Sequence, residues 1–323
     1  MTVDELYREC SRIIAEAGGA GDKAGAVSDT PCLDARIMIQ DALGIDGSAF
    51  VLKGREDVEP SNLKRILDMA KLRAGGTPVA YITGHRGFFM DDFLVTEDTL
   101  IPRADTEILV EHAICKAKAY IETKADDIEG NLCSRPSSRM TPAFRMLDLC
   151  CGTGCIGIST AKAVSMWLQQ ESKEYGVELT LTDVSKPALG VCRENASNIL
   201  NGTTVKWETL CGDLFEPVGD RRFDMIATNP PYIESDVIGT LDVQVRKEPL
   251  LALDGGTDGL DIIGRIVGDA AQHLQRRGWL LMEIGFDQGQ AVKWLFLDAG
   301  FTDVSIEKDL GGRDRVVMGR LTQ

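Results

Sequence analysis

The chain has 323 residues, 44% of them hydrophobic and 26% charged, an ordinary balance for a globular protein of about two domains. This composition excludes collagenous, fully disordered and disulfide-scaffold proteins. Lys and Arg number 35 against 50 Asp and Glu, and the net charge of −15 disfavours broad, non-specific binding to nucleic-acid phosphates.

The sequence indicates a cytoplasmic protein. No apolar run reaches the roughly 18–20 residues of a membrane helix, and residues 1–18 carry four acids and no signal-peptide core. The nine cysteines are an odd number dispersed through apolar segments, as is typical of reduced thiols. The three histidines are too few for a His-rich metal site, and we expect neither a metal nor a membrane partner.

Residues 1–77 are predicted to form a helical domain that recognises the substrate. Three helices are expected there: one with Leu6, Ile13 and Ile14 on a single face, one over 33–43 that ends at Gly44, and one with Ser61 as its N-cap that stops at Gly75-Gly76. The region contains no glycine-rich phosphate loop and no acid–base cluster, so the chemistry is expected later in the chain.

A β-hairpin connector is predicted over residues 78–103. Three short apolar stretches lie in it, at 79–82, 87–89 and 93–95. Helical periodicity resumes over 104–121. Residues 123–142 are polar and rich in Ser, Pro and Asp, and we interpret them as a loop insert.

From residue 144 onward, strands and helices alternate. Seven strands are expected, at 144–150, 178–184, 203–211, 224–229, 279–285, 302–309 and 315–321. Helical stretches separate most of them, so residues 104–323 are predicted to form an open, mainly parallel sheet with helices on both faces. Such sheets bind ligands beyond the carboxyl ends of their strands, which directs attention to the ends of the first four strands.

The first strand leads into a glycine turn. The sequence there is Asp148-Leu149-Cys150-Cys151-Gly152-Thr153-Gly154, and a predicted helix follows. The two glycines let the backbone approach a ligand closely, and the amides of the helix N-terminus face the turn. Structural turns, dinucleotide sites and S-adenosylmethionine sites all have this pattern. We expect the cysteines here, Cys155 included, to be buried thiols rather than metal ligands.

Acidic residues follow the next two strands. Asp183 ends the second strand, where a carboxylate either accepts hydrogen bonds from both hydroxyls of a ribose or caps a helix. Asp213 follows the third strand and suits an exocyclic adenine amine, with Leu214 or Phe215 over the ring. The alternative there is a turn with a buried Phe.

The fourth strand ends in Asn229-Pro230-Pro231-Tyr232, the most informative tetrapeptide of the chain. Two prolines remove two backbone donors and stiffen the turn. The Asn229 side-chain oxygen and the Pro230 carbonyl can each accept one N–H. Together they suit a planar –NH₂ group, beside which Tyr232 offers a flat surface.

These motifs together resemble class I S-adenosylmethionine-dependent methyltransferases that act on planar amino groups. More specifically, the chain resembles the HemK/PrmC family, which methylates the side-chain amide nitrogen of a glutamine in peptide chain release factors. Further segments match this family, at 78–84, 100–107, 248–250, 258–260 and 315–316. The likeness covers about residues 76–321 apart from the inserts.

The resemblance implies a Rossmann-like α/β methyltransferase domain, S-adenosylmethionine as cofactor and a release factor as protein partner, without direct contact to nucleic acid. The implied cofactor-binding residues are Cys150, Cys151, Gly152, Thr153, Gly154, Asp183, Asp213, Leu214 and Asn229. The implied catalytic residues are Asn229, Pro230 and Tyr232, and Pro231 and Arg103 join them in binding the substrate. In this role Asn229 and the Pro230 carbonyl accept both amide hydrogens and turn the nitrogen lone pair toward the methyl group.

The chain departs from the family pattern at several places. The family usually has Pro where Ala104 stands, Gly-Thr where Cys150-Cys151 stands, and often an aromatic residue at Leu214; the insert at 123–142 is unusual. Because Cys has less backbone freedom than Gly, we expect a lower affinity for the cofactor.

Three charged residues of the connector have two interpretations. Arg103, Asp105 and Glu107 either contact cofactor or substrate at the mouth of the site, or form an ion-pair cluster that ties the connector to the catalytic domain. The sequence leaves both open.

Three other functions fit part of the pattern. A glutamine methyltransferase acting on a ribosomal protein would carry the same motifs. An N6-adenine methyltransferase would use the same tetrapeptide, but the acidic charge and the lack of an aromatic, basic region disfavour it. A non-catalytic interaction module is disfavoured by the intact Asp183 and residues 229–232.

Overall fold

The structure, a computed structural model, describes residues 1–17, 27–130 and 142–322. The chain divides into two compact units. The first comprises Met1–His85, Val95–Glu97 and Gly239–Glu248, and the second comprises Arg86–Leu94, Asp98–Ile238 and Pro249–Gln323. This division differs from the predicted boundaries, because residues 78–85 and 239–248 belong to the first unit.

In the part of the chain that the structure describes, the first unit contains five α-helices. They are α1 (Val3–Glu16), α2 (Pro31–Leu43), α3 (Gly47–Leu52), α4 (Pro60–Ala74) and α5 (Val79–Thr83). Leu6 and Ile14 are buried in the core between these helices and Ile13 is partly buried, which confirms the predicted face of α1. The second helix ends at a left-handed Gly44, also as predicted. Across the described residues, no helix is both long and apolar enough to cross a membrane.

The starts of two helices differ from the prediction. Ser61 is not an N-cap but lies inside α4, which begins at Pro60, because the fixed φ of proline suits the first helical position. The short helix α3 was not predicted at all. It begins where the Asp46 side chain accepts a hydrogen bond from the Ala49 backbone N–H at 2.7 Å.

The connector is a short helix followed by a hairpin. The apolar stretch 79–82 was expected to be extended, but it forms α5, which starts after Pro78 and ends at a left-handed Gly84. The hairpin is confined to two strands, β1 (His85–Phe88) and β2 (Asp91–Leu94). The prediction of a hairpin is therefore confirmed only for the second half of the apolar region.

The next helix is longer than the sequence indicated. Helix α6 (Glu107–Gly130) continues through residues 123–130, so the loop predicted over 123–142 was wrong for that part. The segment contains no proline and no glycine before Gly130, and nothing in its backbone chemistry ends the helix earlier. Residues 131–141 of the predicted loop lie outside the described residues.

The second unit is built on a seven-stranded sheet. Its strands are β3 (Ala143–Leu149), β4 (Gly176–Asp183), β5 (Lys206–Cys211), β6 (Phe223–Thr228), β7 (Leu274–Glu283), β8 (Thr302–Lys308) and β9 (Asp314–Arg320). Their order is β5-β4-β3-β6-β7-β9-β8, with β3 to β7 parallel and β9 antiparallel to both neighbours. All seven predicted strands and the mainly parallel, Rossmann-like α/β fold are confirmed.

Helices cover both faces of this sheet. They include α6 together with α7 (Cys155–Gln170), α8 (Lys186–Ile199), α9 (Asp261–Ala270) and α10 (Gly289–Asp298). Side chains alternate along a strand, so Met146 of β3 packs with α6, α7 and α8, whereas Leu147 and Leu149 pack with α9 and α10. Because both faces of the sheet pack against apolar helix surfaces, polar side chains lie at the ends of the strands.

A buried ion pair stabilises the first unit. The Nε atom of Arg73 lies 2.6 Å from Oδ2 of Asp34, and the two side chains are 3% and 10% exposed. The Ser28 hydroxyl donates to the same carboxylate oxygen at 2.7 Å. The Nη2 atom of Arg73 lies 3.4 Å from Oε1 of Gln244, so the pair also holds the segment 239–248 within this unit.

We predict that Arg73→Met lowers the free energy of unfolding by about 3–5 kcal/mol, because the Asp34 carboxylate is left buried without its cation. The matched control is Lys71→Met in the same helix. Lys71 pairs with Asp68 at the surface, where such pairs contribute less than about 1 kcal/mol. Urea denaturation followed by circular dichroism measures both variants. Similar small losses in the two would contradict a stabilising role for the buried pair.

Candidate active site

A pocket lies at the carboxyl ends of four adjacent strands of the second unit. The predicted residues that line it are Arg103, Cys150, Cys151, Gly152, Thr153, Asp183, Asp213, Leu214, Asn229 and Pro231. Gly154, Pro230 and Tyr232 are not among the lining residues that the structure describes. The sheet topology therefore brings together residues from the ends of β3, β4, β5 and β6, as the strand pattern predicted.

The glycine turn after β3 is tightly bent. Cys150, Gly152 and Gly154 have φ values of +59°, +52° and +80°, the left-handed region that favours glycine. At Cys150 this conformation costs about 1–2 kcal/mol. The turn is held because Cys151 N–H donates to the Thr182 carbonyl at 3.0 Å. The Cys-for-Gly departure at residue 150 thus falls at a position whose backbone conformation favours glycine.

Gly154 has a packing role. A Cβ atom there would lie 2.8 Å from the Sγ of Cys192 and 2.7 Å from Ile158, so only glycine lets the start of α7 pack this closely. Gly154 N–H donates to the Cys151 carbonyl at 2.7 Å and closes the turn. Its place is behind the turn and not on the pocket surface.

Asp183 connects two loops of the pocket. One carboxylate oxygen accepts from the Gly152 N–H and the other from the Ser185 N–H, both at 2.9 Å. The N-cap of α8 is Ser185, whose hydroxyl accepts from the Ala188 N–H at 3.2 Å, so Asp183 is not the cap. Each carboxylate oxygen has a second lone pair, which leaves acceptor capacity toward the pocket. Burial raises the pKa of Asp183, and the backbone donors oppose that rise.

The two apolar residues of the loop after β5 lie in different surroundings. Leu214 lines the pocket with φ of +45°, whereas Phe215 is buried in the core and stacks on His273 with ring centroids 4.4 Å apart. Of the two residues predicted to cover a ligand ring, only Leu214 is placed to do so. Asp213 also lines the pocket and forms an ion pair with Arg265.

The Asn-Pro-Pro-Tyr tetrapeptide follows β6 and turns along the pocket. Asn229 and Pro231 reach the pocket surface, and Pro230 is buried. The Tyr232 hydroxyl lies 3.4 Å from Oε1 of Glu283, a buried carboxylate at the end of β7. Burial raises the pKa of Tyr232 well above its ordinary value. The phenol is therefore neutral and directed into the protein.

The charged connector residues have different partners. Arg103 lines the pocket. Asp105 forms an ion pair with Arg315 at 3.2 Å, and Glu107 accepts a hydrogen bond from the Phe89 N–H at 2.9 Å. The structure thus supports a site position for Arg103 and a tying role for the other two.

The cysteines near the turn are thiols at neutral pH. Burial raises the pKa of Cys150 and of Cys155 to about 12. The Sγ atoms of Cys151 and Cys192 lie 3.7 Å apart. Within the described residues, no group of three or more His, Cys, Asp or Glu side chains is arranged to hold a metal ion.

Sequence reasoning missed two parts of the pocket lining. One is the segment Pro249, Leu251 and Ala252, and the other is Asp98, Thr99 and Leu100. A signal was present only for Leu100 and Pro249, which lie in the segments 100–107 and 248–250 that match the HemK/PrmC pattern. No local feature of these residues indicated that they face a ligand.

Comparisons with known proteins identify the family. Residues 6–84 match the family model of the PrmC N-terminal domain, and residues 137–247 match that of the methyltransferase small domain. A release factor glutamine methyltransferase of Agrobacterium fabrum is 36% identical over 299 residues, which cover 92% of this chain and 93% of that protein. The chain belongs to the release factor glutamine methyltransferase family.

Other relatives of the family are similar over most of their length. The release factor glutamine methyltransferase of Geobacter sulfurreducens is 35% identical over 291 residues, covering 90% of this chain and 89% of that protein. A solved release factor-specific protein-(glutamine-N5) methyltransferase from Alicyclobacillus acidocaldarius is 26% identical, covers 69% of this chain and 95% of that chain, and has a TM-score of 0.37. The two relatives from Agrobacterium fabrum and Geobacter sulfurreducens, by their identity over most of the chain, confirm the resemblance drawn from the sequence motifs.

In this member of the family, a buried carboxylate lies behind the glycine turn. Asp148 of β3 is fully buried, and its Oδ2 accepts from the Gly157 N–H at 2.7 Å. Its Oδ1 has no hydrogen-bond partner among the described residues. Burial, aided by the charge of Asp183, raises the pKa of Asp148 to about 7. Ionisation of Asp148 therefore costs more free energy in the folded chain than in the unfolded chain.

The raised pKa of Asp148 predicts the direction in which the stability of the fold changes with pH. Above a pH of about 4 the unfolded chain carries Asp148 ionised, whereas the folded chain keeps it protonated until about 7, so Asp148 increasingly destabilises the fold as pH rises through this window. We expect Asp148→Asn to gain about 1–3 kcal/mol of unfolding free energy relative to the parent protein when the pH is raised from 5 to 8. Urea denaturation at the two pH values measures it, and an unchanged difference would contradict it.

Proposed function

We propose that this protein transfers a methyl group from S-adenosylmethionine to the side-chain amide nitrogen of a glutamine in a peptide chain release factor. The observation that carries the proposal is the position of Asn229, which lines the same pocket as the glycine turn and Asp183. The names of the relatives, release factor glutamine methyltransferases, agree with this substrate.

The pocket residues fit S-adenosylmethionine. The turn Cys150–Thr153 lines the pocket, Asp183 retains acceptor capacity for ribose hydroxyls, and Asp213 and Leu214 suit the amine and the ring of adenine. These residues offer partners for the ribose and for the adenine of the cofactor. Bound there, S-adenosylmethionine supplies an electrophilic methyl group on a sulfonium.

The protein's own contribution is to align a poor nucleophile. An amide nitrogen shares its lone pair with the carbonyl and reacts only when that lone pair is turned toward the methyl carbon. The Asn229 side-chain oxygen and the Pro230 carbonyl accept the two amide hydrogens and fix this orientation. Positioning of this kind supplies several kcal/mol. As the N–CH₃ bond forms, the C–S bond breaks, and the nitrogen releases one proton to a carbonyl oxygen or to water.

The helical first unit is proposed to recognise the release factor. Its support is the match of residues 6–84 to the PrmC N-terminal domain. A net charge of −15 argues against nucleic acid as the direct partner.

Transfer of labelled methyl groups tests the substrate. The protein, incubated with methyl-labelled S-adenosylmethionine, should label a release factor on a glutamine side chain, as located by mass spectrometry. Ribosomal proteins and adenine-rich DNA serve as competing acceptors. Labelling of DNA alone, or of a ribosomal protein and not the release factor, would overturn the proposal.

The role of Asn229 can be separated from cofactor binding. Asn229→Ala should lower kcat by about 100-fold or more, because the substrate amide loses one of its two acceptors, while the Kd for S-adenosylmethionine changes less than about threefold. Asn201→Ala, at an exposed position, is the matched control and should keep full activity. Full activity in Asn229→Ala would remove Asn229 from the mechanism.

Asp183 is expected to act mainly on the cofactor. Asp183→Ala should raise the Kd for S-adenosylmethionine at least about tenfold in calorimetry, since a hydrogen bond to a charged group contributes about 1.5–3 kcal/mol. Thermal unfolding of the variant, measured alongside, reports the loss of the bonds to Gly152 and Ser185. An unchanged Kd with a lowered melting temperature would make Asp183 a purely structural residue.

A further inference from the structure

One side chain outside the pocket binds three separate loops at the carboxyl edge of the sheet. Gln288 lies at the N-cap of α10, and its Oε1 accepts from the Gly285 N–H at 2.9 Å. Its Nε2 donates to the carbonyl of Tyr232 at 3.0 Å and to the carbonyl of Gly259 at 3.3 Å. Tyr232 is the last residue of the Asn-Pro-Pro-Tyr tetrapeptide, so Gln288 directly holds the loop that carries Asn229.

The chemistry of this junction requires a side-chain amide. The Gly285 N–H is only a donor, so it needs an acceptor, while the two carbonyls on the other side need donors. A primary amide has both functions on one rigid group. A carboxylate of the same shape has acceptors alone and would face two carbonyl oxygens with negative charge.

The backbone around Tyr232 is packed so closely that it has little room to move. A Cβ atom at Gly255 would lie 2.7 Å from the Cα of Tyr232, and one at Gly259 would collide with the Tyr232 carbonyl oxygen. Gly259 has a φ of +70°, a conformation that suits glycine. Ile233 N–H and carbonyl bond to Leu253 and Gly255 at 2.9 and 2.8 Å.

The side chain of Tyr232 is fixed at its other end. Its hydroxyl lies 3.4 Å from Oε1 of Glu283, whose side chain is almost completely buried. Tyr232 is thus held through its carbonyl by Gln288 and contacted at its hydroxyl by β7. Only two residues separate this fixed point from Asn229, and both are prolines with restricted φ.

We propose that Gln288 is a positioning residue for methyl transfer: by holding the Tyr232 carbonyl it sets the backbone of residues 229–232 and so the direction of the Asn229 and Pro230 acceptors. This rests on the proposed function of those acceptors. Gln288 itself contacts neither substrate nor cofactor in this role. A small displacement of the acceptors is expected to lower turnover strongly while the cofactor-binding turn on β3 is unaffected.

The test compares two substitutions of Gln288 with a matched control. Gln288→Glu keeps the shape and removes the donors, and Gln288→Met keeps the approximate volume and removes all three bonds without adding charge. Gln290→Glu, an exposed position in the same helix, adds the same charge without touching the loop. Both Gln288 variants should lower kcat on the release factor at least about tenfold, with the Kd for S-adenosylmethionine within about threefold of the parent protein. Gln290→Glu should match the parent protein in both measurements.

The outcomes distinguish this inference from the proposed function. If the parent protein and Gln290→Glu do not methylate a release factor glutamine, the proposed function fails. If they do and both Gln288 variants retain the parental kcat, the positioning role is overturned. A parallel loss of kcat, cofactor affinity and melting temperature would mean that Gln288 is only structural. Should Gln288→Glu fail to fold, as judged by circular dichroism, Gln288→Met decides the question.

Discussion

The parallel register of four strands is the constraint on which the pocket depends. Leu149 of β3 pairs with Thr182 of β4 on one side and with Thr228 of β6 on the other, and Asp183 pairs with Cys211 of β5. The loops that leave these strands therefore start at the same edge of the sheet, although they are far apart in the chain. A shift of one residue in any pairing would send every side chain of that strand to the opposite face. The apolar packing on the two faces of the sheet therefore fixes the strand register and, with it, the geometry of the pocket.

The sequence predicted the second unit well because its signals are local. Apolar runs bounded by polar turn residues identified all seven strands, and the residues at strand ends identified Asp183 and Asn229 as pocket residues. The errors occurred where short-range preferences compete. Residues 79–82 are apolar enough for a strand, but Pro78 and Gly84 delimit a single helical turn. Residues 123–130 are polar, which resembles a loop, yet polarity alone does not end a helix that lacks a proline.

What the sequence could not supply are interactions between distant loops. Gln288 bonds to Tyr232 across 56 positions of sequence, and Arg73 to Gln244 across 171. Neither glutamine belongs to a recognisable local pattern, and each is identified only once the backbone around it is known. Tyr232 illustrates the same limit, because its place in the tetrapeptide suggested a surface for the substrate while its hydroxyl is directed to Glu283.

The buried acids at this edge link stability to the proposed function. Burial raises the pKa of Asp148, Asp183 and Glu283, so each carboxylate is held in a less favourable environment than water provides. A left-handed Cys150 adds strain at the same place. Such costs persist where a binding site requires them, and sites of strained or poorly solvated groups trade stability for activity. A sulfonium bound in the pocket would bring positive charge toward Asp183, which lines that pocket, and would favour its ionised form. Under the proposed function, the electrostatic cost that the free protein bears at Asp183 therefore becomes part of its affinity for the cofactor.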